Sequence, residues 1–401
     1  MFLERIELEN VRSIAALDLP LSHEGRVRPW TMLLGENGAG KSTVLRAVAL
    51  ALAGSEALPE LLADSDRWIR RGARHAAIRL ALVTAAGEKR RVELRLRRGD
   101  SLAKTFDLNR STLEELDDAL AHTARNYFCV GYGVSRRASA AFVSRQERLR
   151  HPRARSVATL FDPDALLQPV ESWAMDLDYR RPAQARAILR GTFAQILPGM
   201  GFAGIDKQKR ELLFDTPDGR LPLAALSDGY QNIIAWCGDL LFRITETFAD
   251  YKSPLAARGL LLIDEVDLHL HPLWQRKLQS FLRGKLPGMQ VLASTHSPLT
   301  AHQAEEGELF MLRRPSPKAP PELKPFPGDP RKLLLHQFLM SPAFGLETAD
   351  SVYVEHLKSG SPKGDARVEL ADLPRWEMPT PLSRERLKLL TELKAEVKRR
   401  S

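Results

Sequence analysis

Four short runs of this chain carry residues suited to phosphate chemistry, and they follow one another in a fixed order. They are Gly35-Glu36-Asn37-Gly38-Ala39-Gly40-Lys41-Ser42, Leu226-Ser227-Asp228-Gly229-Tyr230-Gln231, Leu260-Leu261-Leu262-Ile263-Asp264-Glu265 and Ser294-Thr295-His296-Ser297. The first satisfies G-x-x-x-x-G-K-[ST] throughout. Its glycines, with Asn37 and Ala39 between them, let backbone N–H groups converge on a phosphate at the start of a helix, where negative charge is favoured. Lys41 would bridge β- and γ-phosphates, the Ser42 hydroxyl would ligate Mg²⁺, and Thr43 completes the set. In the third run a buried strand delivers two carboxylates to its C-terminal end. Asp264 would hold Mg²⁺ through water, and Glu265 would take a proton from the attacking water as general base. His296 follows another strand and can hydrogen-bond the γ-phosphate. Ser227, Asp228 and Gly229 open a helix and form an anion site there. A strand ending in acids, a lone loop histidine and a Ser-Asp-Gly helix start are each common alone. Their order behind Lys41 makes the case.

The elements that position these groups follow from periodicity. Residues 30–34 read as a strand running into the glycine-rich loop, and 42–52, with alanine and leucine at helical spacing, as the helix behind it. Residues 2–8 alternate apolar with charged, which predicts an edge strand, and 14–21 form a second apolar segment. Segments 79–83 and 91–96 predict a hairpin across Ala85-Ala86-Gly87-Glu88. Residues 111–124 predict a helix, and 127–130 a short buried strand that Gly131-Tyr132-Gly133 breaks. Residues 163–197 are helical in pattern with Pro182 interrupting, and two strands flank the turn Thr216-Pro217-Asp218-Gly219. Core strands at 260–263 and 290–293 bracket a helix at 273–283. The proline-rich 315–330 reads as an irregular connector and 383–400 as a charged amphipathic helix. No heptad repeat runs over several turns, so long coiled-coil arms are not expected.

Composition limits the setting. The apolar runs of this 401-residue chain fall short of a bilayer span, and its N-terminus lacks the apolar stretch of a secretory signal, so no membrane partner is expected. Only Cys129 and Cys237 are present, too few for a disulfide framework, which suits a reducing, cytoplasmic location. Net charge is +9, and arginines crowd one stretch: Arg136, Arg137, Arg145, Arg148, Arg150, Arg153 and Arg155, with Glu147 the single acid. Such a cluster can neutralise the phosphates of DNA or RNA. A solvated face, or a surface for an acidic protein, is the plainer alternative.

The four runs together resemble the ABC-type ATPase heads, with residues 226–231 similar to their signature sequence. The likeness is to the branch that includes chromosome-maintenance, recombination-mediator and OLD-like ATPases. It is carried by Leu8-Glu9-Asn10-Val11-Arg12-Ser13, by the run from Asp264 through His269, His271, Pro272 and Trp274 to Gln275, and by Ser294-Thr295-His296-Ser297-Pro298. The run Gly131-Tyr132-Gly133-Val134-Ser135-Arg136-Arg137 resembles one in Septu-like and retron-associated phage-defence ATPases.

That resemblance implies an α/β fold of P-loop type: an antiparallel N-terminal β lobe, a central parallel sheet flanked by helices, a helical insertion and a C-terminal extension. The implied division is a first ATPase lobe at 1–150, the insertion at 151–210, a second lobe at 211–305 and the extension at 306–401. It implies ATP and Mg²⁺ as cofactors, Arg12 near the nucleotide, and a head-to-tail homodimer in which Ser227 and Gly229 of one copy cap the γ-phosphate held at Lys41 of the other. Asp267 would lie where the two sites communicate. The family's glutamine loop has no clear counterpart, Gln146 being the nearest glutamine. Ser351-Val352-Tyr353-Val354-Glu355 faintly resembles the start of the OLD-like nuclease domain, but no Asp-x-Asp strand follows, so a nuclease would come from a separate effector protein. His269 and His271 suit an interface or structural role better than zinc. The expected function is an ATP-driven switch in a DNA-linked, anti-phage complex. A recombination or repair mediator, or a transporter's nucleotide-binding subunit, stands as the alternative.

Overall fold

The computed structural model describes residues 2–23, 25–84, 87–120, 128–136, 151–180, 182–196, 200–248, 254–268, 270–316 and 318–348. Residues Met1–Glu347 form one compact unit. The chain opens with β1 (Phe2–Val11), β2 (Ile14–Pro20), the short pair β3 (Ser22–His23) and β4 (Arg26–Val27), and β5 (Trp30–Leu34), which runs into α1 (Lys41–Ala51). After α2 (Gly54–Leu62) come β6 (His75–Val83), β7 (Lys89–Arg97), α3 (Leu102–Leu120) and β8 (Cys129–Tyr132). The middle holds α4 (Pro152–Phe161), α5 (Val170–Arg180), α6 (Pro182–Ile196), β9 (Gly201–Asp206), β10 (Glu211–Thr216), β11 (Gly219–Pro222) and α7 (Asp228–Thr247). Then follow β12 (Gly259–Ile263), α8 (Pro272–Gln275), α9 (Leu278–Lys285), β13 (Met289–Thr295), α10 (Pro298–Ala301), β14 (Leu309–Arg313), β15 (Glu322–Pro325) and α11 (Leu335–Met340).

A six-stranded sheet, ordered β15-β14-β5-β13-β12-β8, forms the middle layer and is parallel except for β15. Its central strands are buried along their whole length, as strands covered on both faces must be. Alternate residues feed two cores. Trp30, Met32, Leu34, Leu261, Ile263 and Val291 face one cluster with α5, α6 and α7, while Leu33, Leu260, Leu262 and Leu292 face the other with α1 and α2. The second core also takes the inner face of an antiparallel sheet, ordered β2-β1-β6-β7, through Ile6, Leu8, Leu80 and Leu94. A third sheet, β11-β10-β9, adds Phe202 and Phe214 to the first core. The fold is thus the α/β arrangement expected, a parallel sheet flanked by helices with an antiparallel N-terminal sheet.

Several expectations need correcting. Strand β1 is not an edge: it pairs with β2 on one side and β6 on the other. Its alternation reflects one buried and one solvated sheet face, and the edges are β2 and β7. Gly131 and Tyr132 do not break β8 but lie within it, paired with Leu262 and Ile263 of β12. Pro182 does interrupt the helical segment as expected: α5 ends at Arg180 and Pro182 starts α6, where its fixed φ is already helical. The 273–283 helix is two, because the chain tightens at Lys277, whose N–H donates to Trp274 O only three residues back at 2.9 Å. The proline-rich connector contains β15, at a sheet edge where prolines cost no ladder bond. The expected helix at 383–400 lies outside the described residues, as do Ser351 to Glu355.

Candidate nucleotide site

Register aligns the groups. Leu34 of β5 pairs with Thr295 of β13, and Ala293 pairs with Ile263 of β12. Gly35, His296 and Asp264 therefore leave three adjacent strands at the same C-terminal sheet edge, the usual ligand side of an open parallel sheet. Gly40 caps α1 at φ 107°, a left-handed conformation that side chains resist. The cap makes no side-chain hydrogen bond, and the first turn holds no acid. The helix's opening N–H groups thus keep their donors for an anion. Gly35 passes under β14 so closely that a Cβ would stand 2.2 Å from Leu312 O. The turn after β1 buttresses the loop, with Ser13 Oγ and Ile14 about 3.4 Å from where a Gly40 Cβ would be.

The Lys41 ammonium is folded across the loop. Its Nζ donates to Gly35 O at 2.7 Å and Glu36 O at 3.1 Å, and stands 2.9 Å from His296 Nε2. Burial lowers its pKa, and Asp264 and Glu265 partly oppose that by favouring the charged form. His296 Nε2 is also 3.4 Å from Glu265 Oε1. The lysine, the histidine and the glutamate, from three separate runs of sequence, so meet at one point.

Behind them the acidic turn is held from two sides. Ser294 Oγ donates to Asp264 Oδ1 at 2.6 Å and accepts from Glu265 N at 2.8 Å. Asp264 N donates to Tyr132 O of β8, and Val266 N to Ser294 O. Glu265 itself sits at φ 47°, a strained region that costs on the order of 1–3 kcal/mol unless its surroundings impose it. Asp267 is buried, with its Oδ1 accepting from Thr295 Oγ1 at 2.7 Å. Ser42 is half-buried beside Lys41, and Thr43 is buried on α1. The donor set fits ATP with Mg²⁺: an ammonium and open helix N–H groups for phosphates, and a hydroxyl with a carboxylate for a hard, oxygen-seeking cation.

Ser227 lies elsewhere. It is the exposed N-cap residue of α7, makes no side-chain cap bond, and precedes a helix packed on the face of the central sheet opposite α1. Gln231 Nε2 donates back to Leu226 O at 2.6 Å and Ala224 O at 3.2 Å, fixing the turn that presents Ser227. Gly229 is half-buried. Of Asp228 only the backbone, the first residue of α7, is described. Among the described residues no hydrogen bond joins this turn to the phosphate loop. Arg12, at φ 52°, stacks its guanidinium 4.5 Å from the Trp68 ring centroid. It lines a cavity of about 400 Å³ with Arg67, Arg155 and Phe161. Burial, and then Arg46 nearby, lower its pKa.

Within the arginine cluster, Arg136 does not stand as read. Arg136 is only 8% exposed, and its guanidinium is spent on backbone carbonyls, so it offers nothing to a phosphate backbone. Arg137, Arg145, Arg148 and Arg150, with Gln146, lie outside the described residues. A basic face that the linear reading missed runs along the edge strand β7. Lys89, Arg91, Arg95 and Arg97 share its solvent side with Glu93, which pairs with Arg79 and Arg95. Lys89, Arg91 and Arg97 make no ion pair among the described residues. Period-two spacing of these cations was the available signal. His271 Nδ1 accepts from Leu273 N to cap α8, a structural task, while His269 lies outside the described residues.

A glycine loop between strand and helix, an Asp-Glu turn two strands away and a histidine on the strand between them mark the fold of P-loop ATPase heads. The chain belongs to the family described as "AAA domain, putative AbiEii toxin, Type IV TA system", which matches residues 31–301. It is similar to the Septu protein PtuA of Bacillus mycoides (strain KBAB4), 28% identical over 316 residues, covering 78% of this chain and 40% of that protein. It is also similar to the Retron Ec83 probable ATPase of Escherichia coli, 32% identical over 117 residues, 29% of this chain and 22% of that one. The chain thus spans less than half the length of these two relatives. Among solved structures, the SMC head domain from Thermotoga maritima covers 81% of this chain and 99% of its own, at 16% identity and a TM-score of 0.47. The resemblance to the Septu-like and retron ATPases holds. Among the described residues no helix is long and apolar enough to cross a membrane.

Proposed function

We propose that this chain binds ATP with Mg²⁺, hydrolyses it between two copies of itself, and serves as the switch of an anti-phage defence complex with a separate effector, such as a nuclease. The observation that carries the reading is the meeting of Lys41, His296 and Glu265 beside the open N-terminus of α1. Lys41 leaves its loop carbonyls for the β- and γ-phosphates, and Gly38, Ala39, Gly40 and Ser42 surround them with N–H donors. Ser42 and Asp264 would hold Mg²⁺, which would neutralise charge on the phosphate oxygens. Glu265 accepts a proton from water as its oxygen bonds to the γ-phosphorus. The bond from that phosphorus to the β–γ bridging oxygen breaks, giving ADP and phosphate. His296 hydrogen-bonds the departing phosphoryl group.

The exposed, uncapped Ser227, on a helix across the sheet from α1, supports completion in trans: Ser227 and Gly229 of one copy meet the γ-phosphate at Lys41 of the other. Asp267, tied to Thr295 one residue before His296, would carry the change at one site toward its neighbour. A ligand closes such a pair only through contacts that differ between the states, and here the γ-phosphate is that difference. The defence role is argued from the Septu and retron relatives. The solvent face of β7 is the surface best suited to DNA or RNA contact. The test is ATP hydrolysis by the purified chain, together with phage challenge of cells expressing it beside its neighbouring genes. Absence of hydrolysis, or unchanged plaque counts on deletion of the chain from a protective set, contradicts the corresponding part.

A further inference from the structure

The arginine expected to face nucleic acid is instead a buried cation beside the acidic turn. Arg136 follows β8 by four residues, and its Nε donates to Gly133 O at 3.0 Å. One terminal nitrogen, Nη2, donates both to Asp264 O and to Glu265 O. The two carbonyls lie on either side of the Glu265 Cα, whose φ of 47° makes the left-handed turn. From the opposite side, Ser294 Oγ holds the Glu265 N–H at 2.8 Å. The Glu265 backbone is thus gripped at both its N–H and its C=O by side chains from two different elements.

We infer that Arg136 is the positioning residue for Glu265: its fork fixes the strained turn that aims this carboxylate, and so sets the rate of hydrolysis without touching nucleotide. The inference rests on the reading of Glu265 as general base. A guanidinium suits the task because its planar fork reaches Gly133 and both turn carbonyls at once, whereas an ammonium concentrates its donors at one point. Burial lowers its pKa to about 10, with Asp264 foremost among the acids that oppose the fall, so it remains charged at neutral pH. Released from it, Glu265 can relax toward ordinary backbone conformations and carry its carboxylate off line. Misplacement of a reacting group by about 1 Å costs on the order of 10²-fold in rate.

The test compares Arg136→Ala, Arg136→Lys and Glu265→Gln in the full chain, measuring ATP affinity and turnover separately. Arg136→Ala should lower kcat about 10²-fold with ATP Kd within about threefold. Non-denaturing guanidinium should restore part of the loss in Arg136→Ala and none in Glu265→Gln. Arg136→Lys, which keeps the charge and serves if the alanine variant does not fold, should fall between Arg136→Ala and the parent. Wild-type turnover in Arg136→Lys and Arg136→Ala overturns the inference, as does parallel loss of affinity, turnover and melting temperature without rescue. If Glu265→Gln itself turns over normally, the general-base reading fails and the inference falls with it. An inactive Glu265→Gln beside a fully active Arg136→Ala removes the positioning role alone.

Discussion

Lys41 Nζ and His296 Nε2 stand 2.9 Å apart, although 254 residues separate them in sequence. The contact spans neighbouring parallel strands, since β5 ends at the lysine's loop and β13 at the histidine. Each can therefore sense what the other holds. Lys41→Ala should weaken ATP binding by about 1.5–3 kcal/mol, the worth of a hydrogen bond to a charged group. His296→Ala should leave affinity within about threefold and lower turnover about 10²-fold, in the range for a lost transition-state donor. Calorimetric titration and steady-state hydrolysis separate the two; equal effects on both quantities from His296→Ala would contradict its assignment.

The lysine also makes ATP binding sensitive to alkali. Burial lowers its pKa below the ordinary 10.5 in the chain without nucleotide, and a triphosphate beside it favours the charged form. Binding should take up a proton in the window between the lowered value and the ordinary one. Affinity should fall as pH rises through the lowered value, and binding should be proton-neutral at this lysine near pH 7. Titrations in buffers of different ionisation enthalpy report the uptake. Affinity that rises across that alkaline window would contradict the assignment.

Glu265→Gln removes the base while keeping the shape of the side chain. Turnover should fall by about 10²–10⁴-fold, the usual worth of a general base, with ATP still bound. Size-exclusion chromatography with light scattering should then show a dimer with ATP and a smaller species without it. Undiminished turnover would remove Glu265 as the base.

Away from the nucleotide, Tyr132 OH donates to Asp239 Oδ2 at 3.0 Å in a buried network that also holds Arg243 and Gln168 N. Tyr132→Phe leaves a buried carboxylate short of one donor, a loss of about 1–3 kcal/mol. Chemical denaturation should show that loss with little change in ATP affinity, because the hydroxyl faces α7 rather than the phosphate loop. An unaltered midpoint would contradict the role of this network.

Much of the site was legible because its parts are local. A glycine loop before Lys41 and an aliphatic strand before Asp264 each carry their secondary structure in a few adjacent residues. What escaped depends on pairing between distant segments. Nothing in the alternation of β1 reveals that β6, more than sixty residues on, covers its second side. Arg136 reads in sequence as the first of an arginine run open to phosphates, because charge runs usually face solvent. Only the approach of β8 to β12 puts it under the Glu265 turn. The cations of β7 were hidden by the reverse error, since a strand's solvent face is read by twos rather than by runs.

Trans completion is tested most directly by mixing two inactive variants. Lys41→Ala lacks the phosphate lysine and Ser227→Arg blocks the signature turn, so each alone should fail to hydrolyse ATP. Mixed, they form pairs in which one site joins an intact Lys41 to an intact Ser227, and hydrolysis should return to a fraction of the parental rate. A mixture as inactive as its components, or a Ser227→Arg chain that hydrolyses ATP at full rate alone, would contradict the two-copy site.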